Sequence, residues 1–126
     1  MRLRSALLAI ATVAVMATAT GHAHDSRLRV EVWPRVSTAP ATIRVRAIVA
    51  PNAENRGLEV AADSGDFYRS SYVPMDGIEA APVTETTLKN LPGGEYQISV
   101  VLVESQGKQI VERTSVMVAA SGPPRQ

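Results

Sequence analysis

The strongest constraint on the fold is an alternation of apolar and polar side chains with a period of two residues. Leu28 to Trp33 has an aliphatic residue at every second position, and Thr42 to Val49 repeats the pattern. Successive side chains of a strand point to opposite faces of a sheet, so this period predicts half-buried strands. The same reasoning, with turn residues as boundaries, predicts five further strands at residues 58–62, 67–74, 83–88, 96–104 and 109–119.

Proline and glycine mark the connections between these strands. The stretch from Pro34 to Pro40 is predicted to be a loop or an edge switch, because proline cannot donate a ladder hydrogen bond. Gln106-Gly107 predicts a tight hairpin between the last two strands, with Gly107 at positive φ. A two-residue and a three-residue loop would turn opposite faces of the last strand inward, so the sequence leaves the hairpin register open.

The first 23 residues resemble a secretory signal peptide in their organisation. A basic start at Arg2 and Arg4 precedes an uncharged stretch of small and aliphatic residues that ends near Ala23. Cleavage after Ala23 would make His24 the mature N-terminus, while cleavage after Ala19 or Gly21 and an uncleaved anchor stay open as alternatives. We therefore expect a secreted or periplasmic protein that has no membrane segment once the leader is removed.

Composition excludes several classes of function. Two of the 13 basic residues, Arg2 and Arg4, lie in the leader, so the mature chain has 11 basic side chains against 12 acidic ones. This near-neutral balance lacks the basic footprint of a nucleic-acid-binding protein. The chain has no cysteine, which excludes disulfides, thiolate nucleophiles and zinc-cysteine sites.

One local motif resembles a known fold family. Leu91-Pro92-Gly93 followed by Tyr96 resembles the start of the penultimate strand in fibronectin type III and related bacterial immunoglobulin-like domains. The resemblance implies that the Tyr96 hydroxyl bonds back to the preceding turn as a structural tyrosine corner. With seven predicted strands and no predicted helix, the expected fold is all-β: a single immunoglobulin-like antiparallel β-sandwich over residues 24–120, with a flexible tail at 121–126.

The segment from Phe67 to Tyr72 is the candidate binding site. It holds three of the five aromatic residues of the chain. Tyrosine, arginine and serine together are typical of adaptable recognition surfaces, which favours Tyr68, Arg69 and Tyr72 as contacts for a partner. The alternative is that these aromatics cover the rim of a core with few large side chains.

Metal binding is the alternative function. The two histidines, His22 and His24, flank the expected cleavage site, and an exposed N-terminal histidine chelates Cu(II) through its amine and ring nitrogen. This layout resembles periplasmic copper-resistance β-sandwich proteins, whose last hairpin also supplies an acid and a histidine. The corresponding residues here, 104–108, contain no histidine, so the complete ligand set of that family is absent.

Other polar groups have simpler interpretations. Asp63 to Asp66 is expected to form an Asx turn and not a calcium site. Arg29, Arg44 and Arg46 would cluster on one face, where Glu31 and Glu85 neutralise them across strands.

Val101 and Val103 face outward on a central strand, which is typical of a surface covered by a partner or a second copy.

These observations predict a non-enzymatic module that binds a protein, a glycan or a second copy of itself. No histidine follows position 24, so Ser-His-Asp and Cys-His catalysis are absent from the folded body. We expect no cofactor for this module. The alternative is a small periplasmic copper-binding protein that uses its N-terminal histidine.

Overall fold

Two β-sheets face each other in the computed structural model, which describes residues 27–121. A three-stranded sheet has the order β1-β3-β6, and a five-stranded sheet has the order β2-β8-β7-β4-β5. All neighbouring strands are antiparallel except β2, which runs parallel to β8. The strands are β1 Leu28–Trp33, β2 Val36–Thr38, β3 Ala41–Val49, β4 Asn55–Asp63, β5 Tyr68–Pro74, β6 Val83–Leu91, β7 Gly94–Glu104 and β8 Gln109–Ala119.

The predicted all-β sandwich is confirmed, with two adjustments to its strands. The expected loop between Pro34 and Pro40 contains the short strand β2, which moves the chain from the edge of the small sheet to the edge of the large one. The third predicted strand, residues 58–62, is longer at both ends as β4. The sixth predicted strand, β7, lies in the middle of the large sheet, as its apolar composition indicated.

The core lies between the inward faces of the two sheets. Aliphatic side chains at alternate positions of β3 and β7 are almost completely buried, because each strand turns one face to the opposite sheet. Tyr96 is the largest buried residue, and its ring contacts that of Phe67 edge-on, with ring centroids 6.4 Å apart. Most core side chains are aliphatic and smaller than an aromatic ring. They include Ile43, Val45, Ala47, Val49, Leu58, Val60, Ala62, Ile98, Val100 and Leu102.

The last hairpin has a three-residue loop, which settles its register. Val103 lies opposite Gln109, and the Glu104 N–H donates to the Lys108 carbonyl at 2.8 Å. Gln106 and Gly107 both have positive φ, 66° and 77°. This register places Ile110, Val116 and Val118 in the core.

A buried polar cluster lies where the chain enters the sandwich. Glu104, only 5% exposed, forms an ion pair with Arg27 just before β1. Asn55 lies opposite Glu104 on β4, and its amide donates to the Ala50 carbonyl at 3.1 Å. The cluster fixes the start of β1 against the hairpin end of the large sheet.

Residues 27–121 contain no helix that is long and apolar enough to cross a membrane. The helical segments described there are two single 3₁₀ turns, Gly77–Glu79 and Ser105–Gly107.

Candidate binding face

The two candidate tyrosines lie on β5, which is an edge strand of the large sheet. Tyr68 and Tyr72 share the face that points away from the core, with exposed fractions of 58% and 57%. Such exposure is unusual for large aromatic side chains. The structure therefore places both rings on the surface and not in the core.

Arg69 lies on the other face of β5, because neighbouring residues of a strand alternate. Its guanidinium lies over the Phe67 ring, 5.4 Å from the centroid, and donates to the Lys89 carbonyl of β6. Arg69 thus links β5, an edge strand of the large sheet, to β6, an edge strand of the small sheet. The structure does not bring it together with Tyr68 and Tyr72.

A glycine on the neighbouring strand determines where the Tyr72 ring lies. A Cβ atom at Gly57 would fall 2.1 Å from the Tyr72 hydroxyl oxygen, so the ring lies directly on the glycine backbone. The Tyr72 hydroxyl is 3.4 Å from the Arg56 carbonyl, to which it donates. Gly57 is required for this position, since any side chain there would displace the ring.

The tyrosines belong to a wider surface, which we call the tyrosine face. Across the sheet, Tyr72 lies in one row with Glu59, Val101 and Val111 of the next three strands. A parallel row runs from Tyr68 through polar side chains. The tyrosine face comprises Tyr68 and Tyr72 on β5, Glu59 and Asp63 on β4, Gln97, Val101 and Val103 on β7, and Val111, Arg113 and Ser115 on β8.

A shallow depression of about 390 Å³ lies at the polar end of this face, beside Tyr68. Its rim carries the carboxylates of Asp63 and Glu95, together with polar side chains of β7 and β8. The Asp63 carboxylate accepts the Gly65 N–H at 2.8 Å, which is the predicted Asx turn. The residues that line the depression are Asp63, Ser64, Gly65, Glu95, Tyr96, Gln97 and Ser115.

Two of the three arginines predicted to cluster on the small sheet, Arg29 and Arg46, are paired with acidic neighbours as expected, whereas Arg44 lies opposite Trp33 and Thr87. Arg46 lies between Glu31 and Glu85 on the two adjacent strands, at 3.8 and 3.5 Å. Arg29 is 3.9 Å from Glu31. These exposed pairs make the small sheet a solvated, mixed-charge surface.

Tyr96 lies below the depression with its ring in the core. Its hydroxyl donates to the Pro92 carbonyl at 2.6 Å, which joins β7 to the turn that precedes it. This geometry is the one that a tyrosine corner requires.

The described residues do not fit a metal site. His22 and His24 lie outside residues 27–121, so their part in metal binding stays a prediction. In the described range, no three His, Cys, Asp or Glu side chains are grouped so that they could hold a metal ion. Glu104, the acid of the last hairpin, is buried in its ion pair with Arg27.

Sequence reasoning did not identify Gly57 or Glu59 as part of this surface. Gly57 was expected to precede its strand, yet it lies inside β4, where glycine often marks a close approach of another group. A close approach at this glycine could therefore have been inferred from the sequence. The identity of the ring that lies on it depends on the β4–β5 register and could not be inferred.

The fold is similar to that of known all-β proteins, although no protein-family model and no curated protein matches the sequence. Superoxide reductase (neelaredoxin) from Ignicoccus hospitalis superposes with a TM-score of 0.58 at 18% identity, over 72% of this chain and 79% of the reductase. A variant of that reductase gives 0.57 at 17% identity, over 74% and 82%. The PmoD soluble domain from Methylocystis sp. gives 0.49 at 13% identity, over 73% and 90%.

At these identities the likeness shows the fold alone. It also corrects one inference from the sequence. The prediction that this chain is not an enzyme is wrong, because the β-sandwich it adopts is one on which a superoxide reductase is built. The fold does not exclude catalysis.

Proposed function

We propose that this protein is an exported binding module that captures a protein partner on its tyrosine face. The observation that carries the proposal is the exposure of Tyr68 and Tyr72, each more than half accessible on one face of an edge strand. Tyrosine is enriched at the centres of protein interfaces, because its ring buries a large area and its hydroxyl adds a hydrogen bond.

The surroundings of the tyrosines support a protein partner. Val101 and Val111 lie in the same row as Tyr72, beyond Glu59, and add an apolar area in the middle of the sheet. Glu59, Asp63 and Arg113 add charged groups around it. A mixed surface of aromatic, aliphatic and charged side chains is the usual composition of a protein interface.

Replacing each tyrosine by alanine should separate recognition from folding. We expect Tyr68→Ala and Tyr72→Ala each to lower the free energy of unfolding by less than about 1 kcal/mol, because both rings are largely solvated. Capture of the partner from native envelope extract should weaken by about tenfold or more for each variant. Denaturant unfolding and pull-down with quantitative mass spectrometry measure the two effects.

Trp33→Ala is the matched control, since Trp33 is an exposed aromatic on the small sheet. It should leave capture unchanged. Protease treatment of the extract should abolish capture of a protein partner, whereas a glycan would survive the treatment. Strong destabilisation by both tyrosine variants, or equal loss of capture with Trp33→Ala, would contradict the proposal.

A further inference from the structure

The outer edge of β5 carries backbone groups that face away from its neighbour β4. The Met75 N–H donates to the Arg56 carbonyl, and the Ser64 N–H donates to the Phe67 carbonyl, at 2.9 and 3.0 Å. Both bonds continue the β4–β5 register, in which bonded and non-bonded residue pairs alternate. The odd-numbered residues of β5 therefore turn their N–H and C=O groups towards β4.

The even-numbered residues consequently turn their backbone groups towards the free edge. These are Tyr68, Ser70 and Tyr72, the residues whose side chains lie on the outer face. Among residues 27–121, no strand pairs with β5 on that side. Proteins usually protect such an edge with charges or proline, because it is a template for another strand. Here Pro74 lies at the end of β5, and the residues before it leave the edge unprotected.

The other long edges of the sandwich differ in this respect. The β1 strand carries Arg29 and Glu31, and β6 carries Glu85 and Lys89, all exposed. The part of β8 that β2 leaves uncovered carries Glu112 and Arg113. Charged side chains on an edge oppose pairing with another chain. The one charged residue of β5, Arg69, is engaged with Lys89 and Phe67 across the sandwich.

We propose that β5 pairs antiparallel with β5 of a second copy, joining the two large sheets into one continuous sheet. In the register centred on Ser70, Tyr68 lies opposite Tyr72 of the second copy, and Ser70 lies opposite its own equivalent on the two-fold axis. The opposed pairs of even-numbered residues then exchange both of their backbone hydrogen bonds, and the pairs between them are non-hydrogen-bonded. The interface is self-complementary, as a two-fold dimer requires.

Charge and side-chain pairing select this register over its neighbours. Centring the axis on Arg69 would place the two Arg69 guanidinium groups opposite each other, and like charges in that position oppose pairing. Centring it on Ser71 would place Tyr72 opposite Ser70 and Tyr68 opposite Pro74. With the axis at Ser70, Arg69 faces Ser71, and Tyr68 of each copy lies opposite Tyr72 of the other on the outer face.

The dimer goes beyond the proposed function, because it uses the backbone edge and leaves the tyrosine face open. Two tyrosine faces would lie side by side on one sheet. A partner with repeated sites could then bind both faces, which strengthens capture through effective concentration.

The test uses the exported chain and changes a single backbone donor. Ser70→Pro removes the N–H at the two-fold axis, and the monomer keeps its fold because that N–H makes no bond to β4. We expect wild type to dimerise in sedimentation equilibrium at micromolar to millimolar concentration. The Ser70→Pro dissociation constant should rise by more than about tenfold, while Ser70→Ala, which keeps the N–H, should dimerise like wild type.

Cross-linking provides a second readout that does not depend on proline being tolerated. Opposed Cα atoms in a bonded pair are about 5.5 Å apart, which suits a disulfide. The chain has no cysteine, so Ser70→Cys introduces the single thiol. It should form a disulfide-linked dimer on mild oxidation much faster than Ser115→Cys, an exposed control on β8.

A wild-type chain that stays monomeric throughout, or equal cross-linking of the two cysteine variants, would overturn the dimer. Neither result would bear on the proposed function, because Ser70→Pro retains Tyr68 and Tyr72 and each tyrosine face can still capture its partner. Conversely, tyrosine variants that still capture the partner would contradict the proposed function and would leave the sedimentation result of wild type unaffected.

Discussion

Tyr96→Ala should lower the free energy of unfolding by about 4 kcal/mol, since truncation of a buried aromatic side chain creates a large cavity. Tyr96 is fully buried, and Phe67 would lose its edge-on contact. Tyr96→Phe keeps the ring and removes the hydrogen bond to Pro92, so we expect a loss of about 1 kcal/mol. Denaturant unfolding at equilibrium measures both changes.

Tyr68→Phe is the control for the hydroxyl group. The Tyr68 ring is exposed, so removing its hydroxyl should leave the unfolding midpoint unchanged. An identical midpoint for Tyr96→Phe and wild type would contradict a stabilising tyrosine corner, even if Tyr96→Ala unfolds readily.

Glu104→Ala should lower the free energy of unfolding by about 2–3 kcal/mol. The substitution leaves the Arg27 guanidinium in a largely buried place without the carboxylate that faces it, and breaking a buried ion pair is strongly destabilising. Arg27 is 25% exposed, so water relieves part of this cost. Hydrogen exchange of the β1 amides should also accelerate, because the pair holds the start of that strand.

Glu95→Ala provides the matched control, since Glu95 is an exposed acid at the start of the same strand. Its unfolding midpoint should stay within the experimental error of wild type. If Glu104→Ala is as stable as Glu95→Ala, the buried cluster does not hold the chain start against the large sheet.

Most of the fold was predictable because the strands alternate with a clear period. The alternation in Leu28–Trp33 and Ala41–Val49 gives both the strand type and the buried face. The short strand β2 was not predictable, since three residues between prolines show no period. Its place depends on the pairing with β8, which is a contact between distant parts of the chain.

The hairpin register and the role of Glu104 could not be obtained from the sequence. Loops of two and three residues fit the turn signal equally well, and the choice decides which face of β8 is buried. A glutamate at the end of a strand is normally exposed. Glu104 is buried because Arg27, far away in the sequence, packs against it.

The candidate site was predictable in part. Alternation along β5 separates Phe67 and Ser71 from the two tyrosines, and this arrangement is what the structure shows. The same alternation already implied that Arg69 lies on the side of Phe67, away from both tyrosines. The contact of Tyr72 with Gly57 requires knowledge of the strand register, which single-sequence patterns do not contain.

The central claim is that the tyrosine face is where the partner binds. Photo-cross-linking tests it most directly, with a photoreactive phenylalanine analogue incorporated at Tyr72 or, as a control, at Trp33 on the opposite sheet. Irradiation in native envelope should give a covalent adduct with one protein other than a second copy of this chain from position 72, and none from position 33. Adducts of equal yield from both positions, or an adduct from position 33 alone, would contradict the claim.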